Sequence, residues 1–293
     1  MNPIFKSILL LIRSPSELDI LLPLSARFAS EAEMRVDIVD ATGSEIISRS
    51  LPQQEEPIKS KGSLVYLFHE SKLTRDRVLQ LIAERSPELL MVCAEEFQEG
   101  QANTDSSEIQ RTIEDSPIPV LLVPRSYDGN RQWKSILVPM SGEVRQNKAL
   151  EFSIRIANRL GLSVDVIHVA NPSEPAPAII AKFSDDAHHE LPKMIDEFLA
   201  EASPLTSTEE KTCLRDFHLC RGSTAEEILA RVQQWESDLV AIQWKGVFRI
   251  GHAAILKRVL HETNSAVLLV RQDHAGHFKF KAGSNIVKPN KVA

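Results

Sequence analysis

The sequence predicts an α/β protein made of two tandem domains, each built on a five-stranded parallel sheet. Short apolar runs, long enough for single buried strands, alternate with stretches whose apolar residues recur at helical spacing. Such alternation is typical of a parallel sheet that helices cover on both faces. An internal repeat is the second observation: KSILL at residues 6–10 returns as KSILV at 134–138, and VLLV at 120–123 returns at 267–270. Because further matches fall between these in the same order, we interpret the chain as a duplicated domain.

The first repeat is predicted to occupy residues 1–125. We expect strands at 5–12, 35–40, 63–68, 88–93 and 118–124, and helices at 16–33, 74–85 and 105–115. The stretch after the second strand is expected to be a loop to about residue 62. Pro87 and Pro117 each precede a strand and end the helix before it. Residues 125–132 are polar, contain an Asp-Gly turn signal, and are predicted to link the repeats.

The second repeat is predicted at residues 133–272, with a polar C-terminal tail at 273–293. We expect strands at 134–140, 163–169, 214–220, 239–242 and 267–270, and a helix at 143–160 that Gly161 closes. Two further helices are expected, one after the turn at Gly222 and one before the last strand, with a polar loop at 243–252 between the last two strands. An insertion at about 170–212 contains a predicted loop at 171–187 and a predicted helix at 190–202.

Composition and charge exclude several classes of protein. The chain has 293 residues, of which 43% are hydrophobic and 25% charged, as is ordinary for a soluble globular protein. Its net charge of −6 argues against a nucleic-acid partner, which would require a basic surface. The apolar run near the N terminus is too short to cross a membrane. The three cysteines have no paired spacing, so we expect a reducing, cytoplasmic location.

No catalytic or metal centre is predicted from the motifs. Asp185, Asp186, His188 and His189 cluster before a predicted helix, but adjacent histidines point in different directions and no i, i+4 partner accompanies them. No G-x-S-x-G motif surrounds a serine near a predicted loop. Because no nucleophile and base can be paired from the sequence, we expect that the protein is not an enzyme.

Four segments of the second repeat resemble the universal stress protein family. They are KSILVPMSGE from residue 134, LSVDVIHVAN from 162, SDLVAI from 237 and AVLLVR from 266. The resemblance implies five-stranded domains with a flavodoxin-like strand order, placed among adenine-nucleotide α-hydrolase-like folds. Its weaker extension over residues 6–124 resembles the tandem subclass, in which two domains of one chain mimic a dimer. Some family members bind ATP, and others lack the motif and do not.

The nucleotide motif of that family is degenerate in this chain. The resemblance implies an aspartate at the end of the first strand, but Ser141 stands there in the second repeat and Arg13 in the first. The family's loop has two glycines and then a Gly-Ser or Gly-Thr pair; here Gln243 replaces the first glycine and Gly246 matches the second. In the first repeat Cys93 and Glu96 replace both glycines, so we expect no ATP there.

The second-repeat loop leaves two interpretations open. It is either an altered anion site, since glycines and a helix start favour phosphate, or a shortened loop whose charges are only solvated. Any nucleotide or anion is expected beside Pro139, Met140, Ser141, Val169, Gly246, Gly251, His252, Ala253 and Ala254. Trp244 lies in this loop and is expected to stack on the partner domain rather than on a base.

These observations predict a cytoplasmic stress-response protein that acts by regulation or interaction, without cofactor. The alternative is a nucleotide- or anion-binding switch that uses loop 243–254, with ATP in the second domain. The last strand of each repeat is an edge that invites pairing, so the two domains are expected to pair within the chain or to form a homodimer. We also expect an unidentified protein client, no nucleic acid and no membrane partner.

Overall fold

The fold is described from a computed structural model. It describes residues 5–28, 34–43, 46–59, 62–94, 104–140, 147–170, 210–248 and 253–272. The predicted loop at 171–187, the predicted helix at 190–202 and the tail at 273–293 lie outside these residues.

The first domain contains five strands and five helices within the described residues. In chain order they are β1 (Ser7–Ile12), α1 (Pro15–Phe28), β2 (Arg35–Asp40), α2 (Ile46–Gln54), α3 (Glu56–Lys59), β3 (Leu64–His69), α4 (Arg75–Arg85), β4 (Leu89–Ala94), α5 (Thr104–Asp115) and β5 (Val120–Pro124). Helices α2 and α3 correct the predicted loop between the second and third strands. They form because Ile47, Leu51 and Ile58 are buried against the sheet.

The second domain repeats this plan without counterparts of α2 and α3 in its described part. It contains β6 (Ser135–Met140), α6 (Lys148–Leu160), β7 (Ser163–Ala170), β8 (Leu214–Arg221), α7 (Thr224–Gln234), β9 (Leu239–Trp244), α8 (Ala254–Glu262) and β10 (Ala266–Arg271). Gly161 closes α6 in the left-handed conformation and donates its N–H to the Ala157 carbonyl, as predicted. Strand β9 runs through Trp244, so the loop after it begins two residues later than predicted.

All ten strands form one continuous sheet. Its order is β3-β2-β1-β4-β5-β10-β9-β6-β7-β8, and every pair is parallel except β5 with β10. The predicted fold class is therefore confirmed, but its flavodoxin-like strand order is wrong. A flavodoxin-like sheet has the order 2-1-3-4-5, whereas each domain here has the order 3-2-1-4-5. The difference arises because the chain adds its first three strands in one direction and then crosses back to β4 or β9.

The two domains meet through their last strands. Val267, Leu268 and Leu269 of β10 pair with Leu122, Leu121 and Val120 of β5 in antiparallel register. These strand edges would otherwise expose unpaired backbone groups, and mutual pairing satisfies them. The expected pairing of the two domains within the chain is therefore present.

Equivalent residues of the two repeats make equivalent backbone contacts. Glu88 accepts a hydrogen bond from the Lys6 N–H at 2.7 Å, and Asp238 accepts one from the Lys134 N–H at 2.6 Å. Each carboxylate precedes the fourth strand of its domain and ties it to the start of the first strand, its neighbour in the sheet. These matching bonds support the duplication inferred from the sequence.

The central strands of the sheet are buried on both faces. One apolar layer contains residues of α1, α2, α3 and α6, and the other contains residues of α4, α5, α7 and α8. All six residues of β1 are buried for this reason. The continuous apolar strands seen in the sequence are thus explained by a sheet with helices on either side.

Candidate functional site

The candidate site lies at the carboxyl ends of the central strands, where ligands bind in open α/β sheets. Pro139 is half-buried and Met140 is buried at the end of β6, and Val169 is half-buried near the end of β7. Gly246 follows β9, Ala253 precedes α8, and Ala254 is the first residue of that helix. Ser141, Gly251 and His252 lie outside the described residues.

The side chain of Gln243, a residue of β9, is hydrogen-bonded to the N-terminus of helix α6. Its Oε1 accepts a hydrogen bond from the Lys148 N–H at 2.7 Å, while Asn147 Oδ1 accepts one from the Leu150 N–H at 3.0 Å. Such N–H groups are what a helix start offers to a phosphate. The residue that replaces the first glycine of the family's loop therefore uses one of these donors itself.

Gly246 has a structural role in this loop. Its φ of +77° lies in the left-handed region that favours glycine. A Cβ atom built there would lie 2.9 Å from Arg271 Nε and 3.0 Å from Arg271 Cζ. The glycine thus allows the arginine side chain of β10 to pass directly over the loop.

The same loop is bonded to the first domain through Glu114 of α5. The Glu114 carboxylate accepts a hydrogen bond from the Phe248 N–H at 2.5 Å. The Glu114 carbonyl accepts one from Arg271 Nη1 at 2.7 Å. We call Glu114, Phe248 and Arg271 the interdomain latch, because its bonds join the predicted phosphate loop to the other domain.

Trp244 is packed inside the protein. Its ring lies 4.7 Å from the ring of Phe248, and both side chains are buried. They belong to the same apolar layer as Ile109 and Ile113 of the first domain. The ring contact of Trp244 is therefore with Phe248 of its own domain, and it shares an apolar layer with the first domain.

Ala253, just before α8, has a left-handed backbone conformation that is usual for glycine. Ala253 has φ +54° and ψ +28°, and it makes no side-chain hydrogen bond as the N-cap. A left-handed alanine is strained by about 1–2 kcal/mol, because its Cβ approaches the following carbonyl. The Ala253–Ala254 pair therefore has the conformation of a Gly-Ser pair but lacks its hydroxyl group.

His168 is a residue of this edge that the sequence analysis did not single out. It pairs with Met140 in the sheet register, is buried, and donates from Nδ1 to the Met140 carbonyl at 3.0 Å. Burial lowers its pKa, and the bond to Met140 raises it by less. Its position in the sequence, one residue before the predicted site residue Val169, was the signal that could have identified it.

In the first domain, Arg13 and Glu17 fill the corresponding cleft. Arg13 Nη2 lies 2.8 Å from Glu17 Oε1 and 2.8 Å from the Cys93 carbonyl, so it spans the ends of β1 and β4. Glu17 is fully buried, and it also accepts from the Arg13 N–H and from Arg125. The sequence identified Arg13 as the replacement for the ligand-binding acid, but the role of Glu17 emerges only from the fold.

Cys93 is a core residue of the first domain. It is completely buried at the end of β4, and burial raises the pKa of its thiol to about 12. A neutral, inaccessible thiol is a poor nucleophile. Across the described part of the chain, no group of three or more His, Cys, Asp or Glu side chains is placed to hold a metal. The predicted cluster at 185–189 lies outside that part.

These features define a class: an α/β protein in which two similar five-stranded units share one continuous sheet. The model of the Universal stress protein family matches residues 132–271. The second domain of the chain therefore belongs to the universal stress protein family.

Solved structures share the fold over nearly the whole chain. A universal stress protein from Archaeoglobus fulgidus is 14% identical, with a TM-score of 0.62, and the match covers 90% of this chain and 96% of that one. A putative universal stress protein from Pseudomonas aeruginosa is 16% identical, with a TM-score of 0.62 and coverages of 91% and 93%.

A third structure, a functionally unknown protein from Pseudomonas aeruginosa, is 17% identical, with a TM-score of 0.61 and coverages of 91% and 92%. At these identities the likeness concerns the fold alone.

No curated protein matches the chain. Of the helices in the described residues, none combines the length and apolarity needed to cross a membrane.

Proposed function

We propose that this protein is a cytoplasmic stress-response protein that acts by regulation or interaction and does not depend on bound ATP. The observation that carries the proposal is the occupation of the second-domain loop by the chain's own groups. Gln243 binds the Lys148 N–H that a phosphate would use, and Arg271 covers Gly246. A ligand would have to displace both interactions before it gained any of its own.

The first domain supports the same proposal. The Arg13–Glu17 pair occupies the cleft between β1 and β4, and Glu17 is fully buried. Breaking this buried pair to admit a ligand would leave a desolvated charge at large energetic cost. We therefore propose that neither domain uses its sheet edge to hold or hydrolyse ATP.

We propose that the protein acts through contacts with protein partners. The strand edges β5 and β10, through which two such domains can associate, are joined within the chain. Any homodimer must therefore use another surface, and any client must bind the outside of the tandem unit. The net charge of −6 supports a partner other than nucleic acid.

The test is direct measurement of bound and added nucleotide. The purified protein is analysed by mass spectrometry for released small molecules, and its melting temperature is recorded with and without millimolar ATP and Mg²⁺. Binding to the native state alone would raise the melting temperature, by an amount set by the ratio of ligand concentration to Kd. We expect no adenylate and no shift. A stoichiometric adenylate, or a saturable shift, would contradict the proposal.

A second proposal is an anion- or nucleotide-binding switch in loop 243–254. The left-handed backbone at Gly246 and Ala253 favours it, since this geometry suits a phosphate-binding loop. The interdomain latch would then report binding to the first domain. This switch predicts a thermal shift with ATP or inorganic phosphate that Gly246→Glu abolishes and Val247→Glu, at the exposed neighbouring position, leaves intact. Absence of a shift in the natural protein would exclude it.

A further inference from the structure

Ser48, His69 and Asp40 form a hydrogen-bonded chain at the carboxyl edge of the first domain. The Ser48 Oγ atom lies 3.2 Å from His69 Nε2. His69 Nδ1 lies 3.1 Å from Asp40 Oδ2. These are the two contacts that join nucleophile, base and orienting carboxylate in serine hydrolases.

The donor and acceptor in each of these hydrogen bonds follow from the chemistry of the three side chains. A carboxylate only accepts, so His69 Nδ1 carries the proton that is shared with Asp40. In the neutral ring Nε2 is then the acceptor, and the Ser48 hydroxyl donates to it. Thr42 donates to Asp40 Oδ1 from its N–H at 2.9 Å and its Oγ1 at 2.7 Å, which leaves Oδ2 for the histidine. The imidazole is therefore oriented to accept the proton of Ser48.

The fold places the three groups as a reaction requires. Asp40 ends β2 and is 1% exposed, whereas His69 ends β3 with its side chain 58% exposed. Ser48 is exposed and is the third residue of the nine-residue helix α2. First-turn N–H groups have no intrahelical acceptor, and the positive end of the helix dipole lies there. Such groups stabilise an oxyanion that forms at a nearby carbonyl.

We propose that Ser48, His69 and Asp40 form a serine-nucleophile site that hydrolyses carboxylic esters. Ser48 Oγ attacks the ester carbonyl carbon while its proton passes to His69 Nε2. The tetrahedral intermediate expels the alcohol, which takes that proton, and leaves an acyl ester on Ser48. Water then gives a proton to His69 and attacks the acyl carbon. The carboxylic acid leaves, and Ser48 recovers its proton from His69.

This site departs from the expectation that the protein is not an enzyme. That expectation rested on pairing a nucleophile with a base along the sequence, and these residues come together only in the folded sheet. The site belongs to the first domain, because His168 stands in β7 where Asp40 stands in β2. It is also separate from the loop after β9, so its test is independent of the nucleotide proposal.

The test combines a covalent probe with ester turnover, using the full chain. A fluorophosphonate should form an adduct that peptide mass spectrometry locates on Ser48. Hydrolysis of p-nitrophenyl acetate should fall about 100-fold in Ser48→Ala and in His69→Gln, the low end of what general base catalysis contributes. Ser50→Ala, on the same helix, is the matched control and should keep the natural rate. Circular dichroism of each variant checks that it is folded.

Asp40 is a positioning residue and needs its own readout. Asp40→Asn should lower kcat about 100-fold with KM unchanged, and Asp40→Glu should recover part of the loss. The proposal is overturned if folded Ser48→Ala hydrolyses the ester as fast as the natural protein. It is also overturned if the probe labels Ser48 no more than Ser50, or labels it equally in His69→Gln.

Discussion

Glu114 of the first domain binds the backbone N–H of Phe248 in the second domain. The 2.5 Å bond joins residues 134 positions apart, and the Glu114 carbonyl also holds Arg271. The loop after β9 is thus used for contact between the two domains. The consequences can be measured residue by residue.

Glu114→Ala should destabilise the protein by about 1.5–3 kcal/mol, the range for hydrogen bonds to charged groups. Urea unfolding measures this loss, and amide exchange should show lower protection of Phe248. Glu114→Gln is the matched control, because its amide oxygen still accepts the bond and most of the stability should remain. If Glu114→Ala leaves both stability and Phe248 exchange unchanged, this bond does not hold the loop.

Gly246→Ala should destabilise the protein by more than the strain of a left-handed alanine alone, which is about 1–2 kcal/mol. The added Cβ would lie 2.9 Å from Arg271 Nε and force that side chain to move. Gly43→Ala is the control, since Gly43 has φ +65° with nothing within 4 Å of the added atom. Thermal melts of both variants isolate the contact with Arg271. Equal losses would show that Arg271 yields without cost.

Ala253→Gly should stabilise the protein by about 1 kcal/mol, because glycine relieves the strain of φ +54° at the start of α8. Added freedom of the unfolded chain opposes this gain only in part. The free energy of unfolding in urea is the measurement, with Ala254→Gly as the control inside the helix, where glycine should destabilise. A less stable Ala253→Gly variant would show that the alanine is not strained.

Glu17→Ala should destabilise the first domain by about 3–5 kcal/mol, since it leaves Arg13 facing a cleft without its carboxylate. Glu55→Ala, which removes a more exposed i, i+4 pair with Lys59, should cost less than about 1 kcal/mol. Denaturant unfolding distinguishes the two. A loss at Glu17 as small as that at Glu55 would show that the pair does not hold the cleft closed.

Stability should fall with rising pH above about pH 9, in part through Cys93. Its thiol has a pKa of about 12 in the folded protein against 9.0 ordinarily, because burial disfavours the thiolate. Between these values the unfolded chain has lost a proton that the folded chain keeps, so each pH unit removes up to about 1.4 kcal/mol. Cys93→Ala should remove this part of the slope between pH 9 and 10.5. An unchanged slope would contradict it.

The sequence alone determined the repeat, the order of strands and helices, and the loss of the nucleotide motif. These features depend on residue type and local spacing, as at Gln243 and Ser141. They can therefore be recognised without knowledge of the fold. It missed α2 and α3, because their buried residues are few and prolines interrupt them. The family resemblance implied a flavodoxin-like strand order, and the sequence could not correct it, because the order of strands in a sheet has no local signature.

Only the tertiary structure decided which groups meet. Gln243 lies 95 positions from Lys148, and Arg271 lies 157 from Glu114. Hydrogen bonds across such separations leave no periodic trace in the chain, because they depend on how the strands are ordered. The same holds for Ser48, His69 and Asp40, whose spacing matches no motif. The sheet joins their elements because apolar strands must be covered on both faces, and the polar groups at the strand ends are then brought together.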